Sequence, residues 1–73
     1  MTNNTQTLRA LDALESSDYA KAAGPLQDAF LMGFFGRSAN YIRFSDLTQA
    51  TEGAKAWELG MASGMKPAPI KPN

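Results

Sequence analysis

Few side chains of this 73-residue chain could carry out catalysis, because it contains no histidine and no cysteine. Histidine is the usual general base near neutral pH and the commonest metal ligand, and cysteine supplies thiolate metal ligands. Three carboxylates, Asp12, Glu15 and Asp18, lie close together in sequence, but no apolar pocket of the kind that general acid catalysis requires is evident beside them. Asp46 and Glu52 form no recognisable metal-ligand pattern. We therefore predict no enzyme, no metal, no cofactor and no small-molecule substrate.

Binding chemistry is better represented, by Arg37, Tyr41, Arg43 and Phe44. Cations interleaved with aromatic rings can hold a phosphate backbone and stack on bases. In the alternative interpretation, Tyr41, Ile42 and Phe44 fold back to close the end of the helical hairpin while the two arginines face water. The formal net charge of zero gives no general attraction to nucleic acid or to a membrane surface.

Charge is nevertheless divided along the chain. Residues 1–36 contain four acidic and two basic side chains, whereas residues 37–73 contain three acidic and five basic ones. The resulting dipole is mild. It would help two copies to pair in an antiparallel arrangement, or one copy to orient on a partner.

The first predicted element is a short amphipathic helix over about residues 6–16. Leu8, Leu11 and Leu14 recur at helical spacing, and charged residues take the opposite side. The segment after residue 16 either continues this helix with a bend to about residue 23 or forms a separate turn. Both alternatives stay open at this point.

A second helix is predicted over about residues 25–37, because Gly24-Pro25 suits a helix N-terminus. Its apolar residues nearly encircle it, and a helix that is apolar all round is normally buried on several sides. We expect that one neighbouring helix could not cover it. Its second face could pack on Leu8, Leu11 and Leu14 of the first helix, pair across a dimer, or meet a foreign protein. Burying one such side chain is worth about 1.5–3 kcal/mol, which favours a homodimer built around this helix.

The last helix is predicted over about residues 46–63, after a connector at 38–45, with Ser45 as its N-cap. Its apolar residues follow a heptad-like pattern, here called the seam, which predicts the buried face. The seam consists of Leu47, Ala50, Ala54, Trp57 and Met61. Gly53 and Gly60 are predicted to pack closely on Gly33 and Gly36, and Gly64 to be the C-terminal cap.

The chain is predicted to be one domain over residues 1–73, helical over 6–64, with flexible tails at 1–5 and 65–73. The proline-containing tail could alternatively be the ligand of a groove. No targeting segment is visible, and the longest apolar run, Ala29 to Phe35, is far shorter than the about 20 residues of a membrane span. We expect a cytoplasmic protein, in the host cytoplasm if a phage encodes it.

One segment resembles a known family. Phe30, then Gly33-Phe34-Phe35-Gly36-Arg37-Ser38, then Trp57-Glu58-Leu59-Gly60 is similar to the pattern of the ribosome modulation factor family. The resemblance covers about residues 25–64. It implies an antiparallel two-helix hairpin with a long loop, in a family whose founding members bind the ribosome. This chain differs from the pattern in its longer connector without proline, its neutral charge and its additional N-terminal helix.

Together these patterns predict an all-α protein: an antiparallel helical hairpin with an additional N-terminal amphipathic helix, which forms a dimer. The predicted function is steric modulation of a partner protein, as by a phage- or mobile-element-type inhibitor of a host regulatory or motor protein. Alternatives are a ribosome-associated hibernation factor and a structural subunit of a larger particle. The predicted partner-binding residues are Leu31, Phe34, Phe35, Arg37, Tyr41 and Arg43. The predicted packing residues are Phe30, Gly33, Gly36, Trp57, Gly60 and Met61.

Overall fold

A computed structural model describes the backbone of residues 4–65 and the side chains of residues 6–64. Over this range the chain is helical, without strands, which confirms the predicted all-α class. The helices are α1 (Asn4–Glu15), α2 (Gly24–Phe34) and α3 (Leu47–Met65). The predicted tails therefore overlap α1 and α3 at their inner ends. Their remaining residues, 1–3 and 66–73, lie outside the described part of the chain.

The segment after α1 is a turn rather than a continuing helix. Ser17 ends the helix, because its hydroxyl donates to the Leu14 carbonyl at 2.7 Å and accepts from the Tyr19 amide at 3.1 Å. The side-chain amide of Gln27 donates to the carbonyls of Tyr19 and Ala20 at 3.1 and 2.6 Å. These bonds attach the turn to the first part of α2, so the predicted alternative of one bent helix to residue 23 is not found.

Helix α2 ends at Phe34, three residues earlier than predicted, because Gly36 closes it. Gly36 has a φ of 71°, a left-handed conformation that glycine adopts without penalty. Its amide bonds to the Gly33 carbonyl at 3.0 Å, and the Arg37 amide bonds to the Met32 carbonyl at 2.8 Å. This is the Schellman arrangement of helix ends. Nothing lies within 4 Å of a Cβ built on Gly36, so its predicted packing role is wrong.

Alanine replacements should distinguish Gly36, which closes α2 in a left-handed conformation, from Gly24, which begins α2 without one. Gly36→Ala should destabilise the fold by about 1–2 kcal/mol, because a left-handed conformation is strained for a residue with a Cβ. Gly24→Ala should be neutral or stabilising by up to about 1 kcal/mol, since its φ is not left-handed and its Cβ would meet nothing within 4 Å. Urea unfolding followed by circular dichroism measures both. Equal midpoints for the two variants would contradict the assigned cap.

Helices α2 and α3 touch through backbone at three glycines. A Cβ on Gly60 would collide with the Phe30 carbonyl, and one on Gly64 with the Phe34 carbonyl. A Cβ on Gly33 would collide with the Trp57 carbonyl and lie 2.9 Å from the Met61 nitrogen. Close helix contact through glycines four residues apart is a known packing motif, and it allows Cα–H···O contacts between the backbones. Gly64 therefore packs inside α3, and its predicted role as the C-terminal cap is wrong.

The direction of these contacts is informative. Phe30 meets Gly60 and Phe34 meets Gly64, so the contacts advance together along both helices. In a pair of helices that run in the same general direction, moving four residues along one helix moves the contact four residues along the other in the same sense. The antiparallel arrangement that we predicted is therefore not shown. The connector, residues 35–46, is long enough to return the chain to the start of α3.

Phe30 is the largest completely buried side chain, and it forms the core with Leu14, Ala29 and Ala56. Leu31, Tyr19 and Ile42 pack around this cluster. The other apolar side chains of α2 are buried or half-buried, and Phe35, which directly follows the helix, is 38% exposed. One copy thus covers most of α2, which weakens the argument that α2 requires a dimer.

Helix α1 buries a different face from the one its leucines suggest. Ala10 and Leu14 are buried, whereas Leu8 is 66% and Leu11 44% exposed. Helix α1 approaches the end of α2, where the Arg9 guanidinium carbon lies 5.9 Å from the Phe34 ring centre. The expectation that all three leucines pack inward is wrong for Leu8 and Leu11.

The start of α3 is capped by Asp46 rather than by Ser45. The Asp46 carboxylate accepts from the Gln49 amide at 2.8 Å, which satisfies one amide of the first turn. The Gln49 side chain in turn accepts from the Ser45 amide at 2.8 Å. This reciprocal pair resembles a capping box and fixes the point where the connector enters the helix.

Candidate docking site

The seam of α3 is not the buried face of that helix. The buried positions are Gly53, Ala56 and Gly60. By contrast, Leu47 is 82% exposed, Ala54 is exposed and Trp57 is half-buried. Because small residues allow helix backbones to touch, the helices meet on the glycine face and leave the seam beside the contact. The prediction that the seam is interior is therefore wrong for Leu47 and Ala54, and the other three seam residues are only half-buried.

An open groove of about 420 Å³ lies between the seam and the connector. Its size falls within the range of ligand-accepting pockets. Small residues of α3 form part of its lining, together with two aromatic side chains, Phe44 and Trp57. The lining residues are Ser38, Ala39, Asn40, Phe44, Ala50, Gly53, Ala54, Trp57 and Glu58.

Two contacts hold the groove together. The Trp57 indole nitrogen donates a hydrogen bond to the Arg37 carbonyl at 2.8 Å, which joins α3 to the start of the connector. The Phe44 ring occupies the space where a Cβ of Gly53 would be, which joins α3 to the end of the connector. Phe44 thus folds back onto the protein, as one of the two alternatives predicted. Tyr41 does not, because it is 68% exposed.

The predicted partner-binding residues occupy different environments. Arg37, Tyr41 and Arg43 are exposed on the connector, and Phe35 is exposed just after α2. Leu31 and Phe34 are half-buried, and Leu31 packs against the core. Phe34 and Phe35 contact each other edge to face, with ring centres 5.6 Å apart. The exposed four are therefore the ones that a partner could contact most readily.

Phe35 and Arg37 also share a second depression, of about 520 Å³, with Met32, Gln6 and Thr7. It lies between α1 and the end of α2. Its lining is more polar than that of the groove, because two polar side chains of α1 and the Arg37 side chain contribute to it. The structure thus places part of the predicted binding set there and not in the groove.

Four of the predicted packing residues have the expected role. Phe30, Gly33 and Gly60 are buried at the contact of α2 with α3, and the Met61 backbone meets Gly33. Trp57 packs against the core by one side only and lines the groove by the other. Sequence reasoning did not include Ala39 or Asn40 in a site, and it considered Phe44 only as one of the aromatic residues interleaved with cations on the connector. The seam spacing was the signal that could have located the groove.

Titratable groups offer little chemistry in the described residues. Burial, assisted by the nearby charges of Glu52 and Asp18, raises the pKa of the Tyr19 hydroxyl, which therefore stays protonated at neutral pH. Among the residues described, no three carboxylates lie close enough together to hold a metal ion. None of the three helices is both long and apolar enough to cross a membrane.

Comparison with family models, with characterised proteins and with solved structures found no match to this chain. The resemblance to the ribosome modulation factor family therefore stays a prediction that depends on the glycine, arginine and tryptophan positions named above.

Proposed function

We propose that this chain is a small non-enzymatic protein-binding modulator, whose docking surface is the groove beside the seam. The observation that carries the proposal is an apolar heptad pattern left open next to Phe44 and Trp57. Burial of apolar surface drives protein association, and tryptophan is enriched among the residues that contribute most binding energy. The modulator acts sterically, by occupying a surface of its target.

An amphipathic helix is the partner that fits this groove best. The small side chains of Ala50 and Ala54 let a second helix approach α3 closely, while Phe44 and Trp57 provide apolar walls. Helices commonly bind in such grooves through apolar residues at positions i, i+3, i+4 and i+7. A host regulatory or motor protein that exposes such a helix is the target class of the modulator. A phage or mobile element would be a natural source of a chain with this role.

A second copy of the chain is also a partner of this kind, because a heptad seam can pair with itself. We therefore place the predicted homodimer at the seam of α3 instead of around α2, most of whose apolar side chains are already buried or half-buried. Light scattering over a range of micromolar concentrations tests the dimer separately from target binding.

A charge placed in the groove should abolish partner binding. Ala54→Glu would desolvate a carboxylate at the centre of the seam, which is costly when no cation pairs with it. The matched control is Ala62→Glu, the same change at an exposed position of α3 outside the groove. A photo-crosslinking residue at position 54 or 62 identifies partners in native extracts. If both positions crosslink equally, or both glutamates leave binding intact, the groove is not the docking surface.

The ribosome-associated alternative rests on Arg37, Tyr41 and Arg43, which lie exposed on the connector. Salt separates it from the main proposal. Binding to RNA phosphates weakens steeply as salt concentration rises, whereas apolar docking does not. Arg37→Ala with Arg43→Ala should abolish ribosome binding but only weaken docking in the groove. Cosedimentation with ribosomes at low and high salt, with and without the two changes, decides between them.

A further inference from the structure

A second apolar surface lies on α1, away from the groove. Leu8 and Leu11 are 66% and 44% exposed, although they belong to a helix whose other face is buried. Helical geometry places Asp12 and Glu15 next to them on the outer side, and both are exposed. The surface formed by these four residues, here called the acidic leucine face, is suited to a segment that carries an apolar residue between cations.

The chain itself contains such a segment. Residues 66–73 read Lys-Pro-Ala-Pro-Ile-Lys-Pro-Asn, with two lysines, one isoleucine and no acidic side chain. We propose that this C-terminal segment docks on the acidic leucine face of the same copy, with Ile70 against the leucines and Lys66 and Lys71 near the carboxylates. The docking is independent of the groove and goes beyond the proposed function.

The position where α3 ends supports docking within one copy. Gly64, next to the last residue of α3, has the Phe34 carbonyl against it. The Arg9 guanidinium carbon of α1 lies 5.9 Å from the centre of the same Phe34 ring. The segment therefore leaves α3 at the end of the molecule where α1 carries Leu8 and Leu11.

The segment is also long enough. Eight residues in extended form reach about 26 Å at about 3.3 Å per residue. The distance along α1 from Leu8 to Glu15 is about 10 Å at 1.5 Å per residue. Half of the segment is thus long enough to span the acidic leucine face, and the other half is available to connect the end of α3 to the outer side of α1.

Charge complementarity favours this occupant over other parts of the chain. Lys55 already pairs with Glu52 at 3.9 Å, and Arg9 lies over the Phe34 ring. Lys66 and Lys71 follow the last acidic residue of the sequence, Glu58, so no acidic neighbour in sequence competes for them. Opposite charges near a partly apolar contact attract within the Debye length, about 10 Å at 0.1 M salt.

Paramagnetic labelling of the full chain tests the docking. The chain has no cysteine, so Asn73→Cys gives a single attachment point for a nitroxide. We expect the amide signals of Leu8, Leu11 and Asp12 to lose intensity at low salt, and those of Ala50 and Ala54 to keep it. The loss should disappear when Lys66→Glu and Lys71→Glu are combined, but persist in the control Lys21→Glu, which changes an exposed lysine of the turn.

Three results would overturn the proposal. One is equal intensity loss in α1 and α3. Another is a loss that 1 M salt and the two glutamates leave unchanged. The third is a loss that appears only when labelled and isotopically enriched chains are mixed, which would assign the contact to a second copy. None of these readouts depends on a partner protein, so failure here leaves the docking groove of α3 untouched.

Discussion

Replacing Gly60 and Gly64 together by alanine should separate α2 from α3 and cause the largest loss of stability among the glycine variants. Each new methyl group would meet a backbone carbonyl, of Phe30 or of Phe34, and backbone cannot rotate away as a side chain can. Overpacking of this kind costs about 1–3 kcal/mol per site. A chain of 73 residues has a total stability of about 4–11 kcal/mol, so the pair should remove a large part of it.

The controls for this prediction come from the other glycines. Alanine is favoured over glycine inside a helix by up to about 1 kcal/mol. A measured loss of stability at Gly60 and Gly64 is therefore the cost of the collision minus this gain in helix propensity. Gly53→Ala meets the Phe44 ring, which can move, and should cost less. Urea midpoints from circular dichroism rank the variants. If the double variant unfolded at the same urea concentration as Gly24→Ala, the close backbone contact would be disproved.

Phe30→Ala should be the most damaging single replacement. Phe30 has no exposed surface and lies at the centre of the core, where it contacts residues from α1, α2 and α3. Removing a buried phenylalanine costs about 3–5 kcal/mol, the sum of lost apolar burial and the cavity left behind. Because this is a large fraction of the total, we expect Phe30→Ala to be mostly unfolded at 37 °C, and Phe30→Leu to retain a cooperative transition at lower temperature.

Tyr41→Ala is the matched aromatic control, because Tyr41 is 68% exposed. Exposed replacements usually change stability by less than about 0.5 kcal/mol. Thermal unfolding of the three variants gives the comparison. A Phe30→Ala protein as stable as Tyr41→Ala would show that the core is not organised around this ring.

The positions of the helices could be predicted from the sequence because their signals are local. Gly24-Pro25 marked the start of α2, and an acidic residue next to a serine marked the start of α3 within one position. The exchange of roles between Gly36 and Gly64 could not be predicted. Both glycines lie near the end of a predicted helix, and only the tertiary contact of Gly64 with Phe34 decides which one continues a helix.

The buried face of α3 was mispredicted for a physical reason. A heptad of larger apolar residues normally identifies the interior, because larger side chains bury more area. Here Gly53, Ala56 and Gly60 are the buried positions, and Gly60 permits a backbone contact with α2 that a larger side chain would prevent. The candidate site exists because α3 packs on α2 through its small residues and leaves the seam uncovered. Each surface that the packing left open, on α3 and on α1, carries residues that the sequence pattern assigned to the core.

The hydrogen bond from Trp57 to the Arg37 carbonyl has a spectroscopic consequence. The chain has a single tryptophan, so its intrinsic fluorescence comes from one indole at the edge of the groove. A ligand that covers the groove would shift the emission to shorter wavelength by excluding water from the ring. A connector that detaches from α3 would shift it to longer wavelength by exposing the indole N–H. The unlabelled protein therefore carries its own optical probe of groove occupancy.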